Sequence, residues 1–207
     1  MSMSKQKAEI KLFDKWTYID IEISDWTLEK YINLKPVIIP HSAGRHEHKR
    51  FWKTSRVSII ERFVNRLLAP GFIGSKIKGH KSSYNSGKKS KLLNSIKNAF
   101  TLIELTTGQN PIQILVDAIC NTAPREETTR IAMGGISYAS AVDVSPQRRV
   151  DLALKYIVQA IGSRSRSNVK QFEENLAQEL ILAAKNSQDS RAVKRKDEIE
   201  RIAISAR

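Results

Sequence analysis

The chain has 207 residues, 41% of them apolar, with 35 Lys+Arg against 21 Asp+Glu and a formal charge of +14. The apolar share suffices for a core and excludes a wholly disordered basic polypeptide. No apolar run reaches the ~20 residues of a membrane-spanning helix, the polar Met1–Ile10 segment gives no expectation of a secretory leader, and the single Cys120 excludes an intrachain disulfide or a thiolate cluster.

The first thirty residues carry six acids against five Lys, with Trp16, Tyr18, Ile19, Ile21, Ile23 and Trp26 among them. Alternation at Ile19, Ile21 and Ile23 suggests one short strand, and Pro36 and Pro40 break regularity soon after. Residues 1–56 therefore read as an extension with local structure, lying on a partner or on the core. Residues 57–207 read as the helical core.

Ile59, Ile60, Phe63, Val64, Leu67 and Leu68 recur at helical spacing, and Pro70-Gly71 ends that helix. Residues 71–87 hold four Gly and four Ser and read as a mobile basic loop. Leu92, Leu93, Ile96, Ala99, Phe100 and Ile103 form a second amphipathic stripe that Gly108 terminates. Asn110-Pro111 is a cap followed by proline at the first helical position. Ile112, Leu115, Val116 and Ile119 follow as the third stripe, Cys120 lies on its apolar side as an inert thiol, and Pro124 closes it.

The period then changes to two. Thr129 to Met133 and Tyr138 to Val144 flank Gly134-Gly135, whose positive φ angles suit a tight turn, so 127–144 reads as a β-hairpin. One hairpin is marginal alone, so its base should pack and its tip project. Ser145-Pro146 opens a fourth helix, marked by Val150, Leu154, Ile157, Val158 and Ile161 and ended by Gly162. After a basic Arg164-Ser165-Arg166 loop, Asn168 and Gln171 have the spacing of a capping box before Phe172, Leu176, Leu180 and Ile181. A polar break at 186–190 precedes a last helix with Ile199, Ile202 and Ala203. The fold class is mainly α: a six-helix bundle with one projecting β-hairpin and an N-terminal extension.

Charge points to the function. Arg62 to Ile103 carries nine Lys or Arg and no acid, and such a one-sign field calls for a polyanion, in the first place a nucleic acid. A basic membrane-surface protein is disfavoured, because the charge is spread over several segments instead of along one amphipathic helix. His41 to Arg56 interleaves Arg45, Lys49, Arg50, Lys53 and Arg56 with Phe51 and Trp52, cations for phosphates and rings that stack on unpaired bases. His41, His46 and His48 superficially suggest a metal site, but their neighbours Arg45, Lys49 and Arg50 disfavour a dication, so phosphate contact is expected and no metal. The bias recurs at Lys76, Lys78, Lys81, Lys88, Lys89 and Lys91, and at Arg148-Arg149, where cations in a first helical turn oppose the dipole unless an anion sits there. Lys194-Arg195-Lys196 is the last cluster, with Asp197, Glu198 and Glu200 at pairing distance along the helix. No P-loop, nucleophile motif or acid/base cluster stands out, so neither a cofactor nor catalysis is expected. The rival reading is a helical DNA-binding regulator; dispersed cations disfavour its single recognition helix.

These residues carry a resemblance. Pro40 to Arg45, Ile60-Glu61-Arg62, Thr107 to Pro111, Ala123 to Glu127, Gly134-Gly135, Ala141 to Arg149 and Lys194 to Arg201 occur in the order of the universal ribosomal protein family numbered seven in the bacterial small-subunit series. The N-terminal extension and the ending are similar to archaeal and eukaryotic members, the archaeal form more so. The resemblance implies binding to the 3′ major domain of small-subunit rRNA, nucleation of the subunit head, and a position bordering the tRNA exit site. It implies neighbouring head proteins, with exit-site tRNA and mRNA nearby, a cytoplasmic location in the ribosome, and neither membrane nor homo-oligomer. Its RNA-gripping positions correspond here to Arg45, Lys49, Arg50, Lys53, Arg56, Arg62, Lys88, Lys89, Lys91, Arg130, Arg148 and Arg149, to which His46, Lys194 and Arg195 are added. The hairpin tip, Met133, Gly134, Gly135 and Tyr138, would face the exit-site tRNA. Gly71 to Tyr84 is longer than in related chains, and Ile131-Ala132-Met133 stands where bacterial members have arginines, which turns the tip toward a neighbouring protein as well.

Overall fold

A computed structural model of the chain describes residues 10–41, 53–69, 76–77, 80–81, 85–165 and 168–207. In chain order these form a 3-10 turn (Glu29–Tyr31), the one-turn helix α1 (Lys53–Arg56), α2 (Ile59–Leu68), a two-residue antiparallel pair β1 (Lys76–Ile77) and β2 (His80–Lys81), α3 (Lys89–Thr107) and α4 (Pro111–Thr122). The hairpin β3 (Glu126–Met133) and β4 (Ile136–Asp143) follows, then α5 (Pro146–Ser165), α6 (Phe172–Ala184) and α7 (Arg191–Ser205). The six expected helices and the hairpin are present, with α1 in addition. Of the 71–87 stretch read as a mobile basic loop, only 76–77, 80–81 and 85–87 are described, the first two forming the pair β1–β2 with Lys76 opposite Lys81, and the rest lies outside the described residues.

Capping chemistry sets several boundaries. Asn110 Oδ1 accepts from the Ile112 amide at 3.0 Å with Pro111 at the first position of α4, Ser190 caps α7, and Gly108 ends α3 in the left-handed region at φ 68°. Two expectations fail. Gly162 is buried inside α5, which runs on to Ser165 instead of ending there. The Asn168–Gln171 capping box does not form: Asn168 Nδ2 instead donates to Asn175 Oδ1 at 3.0 Å, while Asn175 Nδ2 donates back to the Lys170 and Gln171 carbonyls.

Helix α6 is central, packing on α3, α4 and α5, and Phe63, Ile96, Phe100, Ile103, Leu115, Ile119, Ile157 and Leu180 are fully buried between the helices. The end of α6 is capped from α4, where Asn121 Nδ2 donates to the Ala183 and Ala184 carbonyls. The hairpin turns at Gly134 and Gly135, with φ of 59° and 82°. Its base lies against α7, where Arg207 pairs with Glu126 and the Ala141 amide donates to the Ala206 carbonyl. The tip has no such brace among the described residues.

Residues 10–41 form a strap across the bundle. The expected strand at Ile19–Ile23 does not form: Asp20 takes a positive φ of 60°, and the alternation serves to lay Ile21 and Ile23 on the core while Ile19 faces out. A single side chain substitutes for a partner strand. Gln113 on α4 accepts from the Glu22 amide and donates to the Glu22 carbonyl, both at 2.9 Å. Asn110 Nδ2 likewise donates to the Thr17 carbonyl. Leu12, Trp16, Leu28 and Ile32 are buried in the same core as the helices, with Trp16 edge-on to Phe100 at 5.6 Å and its Nε1 donating to Glu104. A clamp closes the strap on α5: Arg149, its side chain 8% exposed, donates to Asp25 Oδ2 at 2.7 Å, to Thr27 Oγ1 at 2.6 Å and to the Pro124 carbonyl. Burial alone would raise the Asp25 carboxyl, but bonds from Thr27 and Arg149 outweigh it and hold it below its ordinary value of 3.8.

Two outcomes are expected. Trp16, 4% exposed, should cost about 3–5 kcal/mol when replaced by alanine, whereas Trp26, 82% exposed, should cost no more than about 0.5; equal losses in denaturant unfolding would mean that the strap is not part of the core. Because the Asp25 value is depressed on folding, its contribution is complete above about pH 4 and fades as acid carries the pH down through the folded value. Asp25→Asn should therefore flatten the acid limb of a stability-against-pH curve, and an unchanged limb would refute the clamp.

Candidate nucleic-acid interface

The apolar stripe of α2 faces the bundle, so Arg62, Asn65, Arg66 and Ala69 turn to its flank. The N-terminal half of α5 supplies a second wall with Ser145, Gln147, Arg148, Asp151, Leu152 and Lys155, and α1 closes one end with Lys53. The groove between them holds about 690 Å³. Its lining carries five cations, Lys53, Arg62, Arg66, Arg148 and Lys155, and one carboxylate, Asp151. This is a place where phosphates are attracted and where the low-dielectric wall strengthens that attraction.

Asp151 is the hub of the groove floor. Its Oδ1 accepts from Lys53 Nζ at 2.6 Å and from Arg62 Nη2 at 3.1 Å. Burial by itself would raise its carboxyl, but the bond and charge of Lys53, together with Arg62, hold it below the ordinary value. Arg62 is 2% exposed and its Nη1 donates to the Tyr31 carbonyl of the strap at 2.8 Å, while its buried Nε meets no acceptor among the described residues. At the rim, Arg148 forms a two-pronged pair with Glu127 of β3, Nε to Oε1 at 2.7 Å and Nη2 to Oε2 at 2.9 Å.

The expected RNA contacts divide by location. Arg45, His46, Lys49 and Arg50 lie outside the described residues. The groove unites Lys53, Arg62 and Arg148. Arg56 on α1, Lys88 and Lys91 at the start of α3, Arg130 on β3 and Lys194 on α7 are exposed. Lys89 sits 2.6 Å from Glu61 and joins α3 to α2, and Arg195 pairs with Glu198 at 2.5 Å, as the helical spacing anticipated. Arg62 and Arg149 are corrections to the reading of all these cations as surface phosphate contacts, since both are buried against carboxylates of the chain itself. The two cations in the first turn of α5 are thus neutralised from within, Arg148 by Glu127 and Arg149 by Asp25. At the hairpin, Tyr138 is exposed opposite an exposed Ile131. Arg66 and Lys155 were missed. The signal was available, since Arg66 follows Arg62 by four residues and Lys155 follows Asp151 by four, which puts each on the face of its neighbour.

Comparison with known proteins bears on this geometry. The family model described as Ribosomal protein S7p/S5e matches residues 28–207. The small ribosomal subunit protein uS7 of Nanoarchaeum equitans is 48% identical over 199 residues, 96% of this chain and 100% of that protein. The protein of the same name from Methanothermobacter thermautotrophicus is 45% identical over 195 residues, 94% of this chain and 98% of that one. Matches this long take in most of the strap ahead of residue 28 as well as the groove and the hairpin. The chain belongs to the ribosomal protein S7p/S5e family.

Proposed function

We propose that this chain is a structural, non-enzymatic component of the small ribosomal subunit that binds small-subunit rRNA through the groove between α2 and α5 and the exposed cations around it. The observation that carries the reading is the groove itself, with five cations and one carboxylate, in a chain whose relatives are named small ribosomal subunit proteins. In finer detail, the RNA is the 3′ major domain, the chain nucleates assembly of the subunit head, and the hairpin, with Arg130 on its strand and Gly134-Gly135 at its tip, borders the tRNA exit site. The exposed Ile131 and Tyr138 suit an additional protein neighbour there. The strap supports a protein contact of another kind: Ile19, Trp26, Ile38 and Ile39 are exposed on it, as are Glu22 and Glu29, the chemistry of a seat for a basic head protein. A DNA-binding regulator is not favoured, because among the described residues the exposed cations are spread over several elements and not gathered on one recognition helix.

The test begins with sedimentation of cell extract through sucrose at low and high salt. The chain should travel with the small subunit and remain there at several-fold raised salt; a chain left at the top of the gradient would overturn the reading. Arg66→Glu combined with Lys155→Glu should weaken binding to small-subunit rRNA and lower the slope of log affinity against log salt by roughly 0.7–0.9 for each phosphate that is no longer neutralised. An unchanged slope would move the interface away from the groove.

A further inference from the structure

The groove contains a group that phosphate binding does not require. Lys53, Arg62, Arg66, Arg148 and Lys155 offer only donors, and a phosphate offers only acceptors, so a carboxylate among them repels the ligand that the cations attract. Asp151 does have structural work, yet one oxygen performs all of it: Oδ1 accepts from both Lys53 and Arg62. Its other oxygen, Oδ2, accepts from nothing among the described residues, and the side chain is 39% exposed at the groove floor. The depressed carboxyl value keeps this oxygen an ionised acceptor.

We propose that Asp151 makes the groove selective for ribose, its Oδ2 accepting a hydrogen bond from a 2′-hydroxyl of a bound RNA strand whose phosphates meet the surrounding cations. The 2′-hydroxyl is the one donor on an RNA backbone, and DNA lacks it. An acceptor set among donors therefore matches the alternation of phosphate and ribose along an RNA chain and mismatches DNA. This rests on the RNA-binding role proposed above and assigns its discriminating residue.

The experiment compares the full chain on poly(U) and poly(dU), which differ only at the 2′ position, and on 2′-O-methyl poly(U), which has no hydroxyl to donate. The wild-type chain should prefer poly(U) by about tenfold, the weight of one charge-assisted hydrogen bond, and should bind the methylated polymer as weakly as poly(dU). Asp151→Asn should abolish the preference while tightening binding to both polymers, because a repelling charge is gone. Lys53 and Arg62 would hold the amide oxygen, leaving its NH2, a donor, to face the groove. A wild-type chain that binds all three polymers alike, or an Asp151→Asn chain that keeps the preference, would overturn the proposal and leave Asp151 as a counter-ion for Arg62. If the variant does not fold, the methylated polymer on the wild-type chain decides. Failure to bind any of the three would instead overturn the RNA-binding role, and this proposal with it.

Discussion

A chain with a formal charge of +14 must fold against its own repulsion, and this one does so by spending its carboxylates at the joints. Asp25 meets Arg149 where the strap crosses α5. Asp151 meets Lys53 and Arg62 where α1 and α2 approach α5. Glu61 meets Lys89 between α2 and α3, and Glu179, fully buried on α6, lies 3.0 Å from Arg164 of α5 and accepts from Ser190 at the start of α7. Apart from Asp151–Lys53, each pair has at least one member withdrawn from water, and removing the partner of such a buried charge would leave it without compensation, a loss of roughly 3–5 kcal/mol. The arrangement of the helices depends on these pairs as much as on the apolar stripes between them.

The same pairs leave the outer surface basic. Each joint withdraws cations along with its acid, so the formal excess of +14 is carried largely by the exterior, where Arg56, Lys88, Lys91, Arg130 and Lys194 lie. The groove lies where the two populations meet. Its floor is a joint, Asp151 with Arg62, and its rim holds the less buried Arg66, Arg148 and Lys155. A rigid floor under adaptable cations is suited to a backbone whose phosphates have fixed spacing, since the floor fixes where the walls stand and the long side chains absorb the remaining difference.

The helices and the hairpin were legible in the sequence because their causes are local. A stripe such as Ile112, Leu115, Val116 and Ile119, a cap such as Asn110 with Pro111, and a turn such as Gly134-Gly135 declare themselves within a few residues. What the sequence concealed has distant causes. Nothing near Arg149 announces Asp25, 124 positions away, so a buried clamp read as a surface cation, and Arg62 misled in the same way. The strap read as an extension of uncertain seat because Gln113 can mimic a strand only once α4 stands beside it. Gly162 read as a stop because glycine is ordinarily found at helix ends, and its burial inside α5 shows only once the neighbouring helices are in place. Charge pattern reports that a polyanion is near; it does not report which cations the protein keeps for itself.

That division has a physical consequence for how the chain holds both its fold and its ligand. Exposed pairs with phosphate are screened over a Debye length of about 8–10 Å at physiological salt, whereas pairs in a low-dielectric interior are screened much less. Salt that loosens the outer cations from RNA therefore leaves Asp25–Arg149, Glu61–Lys89 and Asp151–Arg62 largely in force. Arg62 carries this further, since one guanidinium spans Asp151 in the groove and the Tyr31 carbonyl in the strap. A ligand that engages the groove floor then acts on a group that also anchors the strap, so the groove and the strap share one structural element. A chain built this way can be released from its polyanion without being unfolded, because most of the pairs that define its shape lie away from the groove and the one at its floor, Asp151–Arg62, is held by buried Arg62.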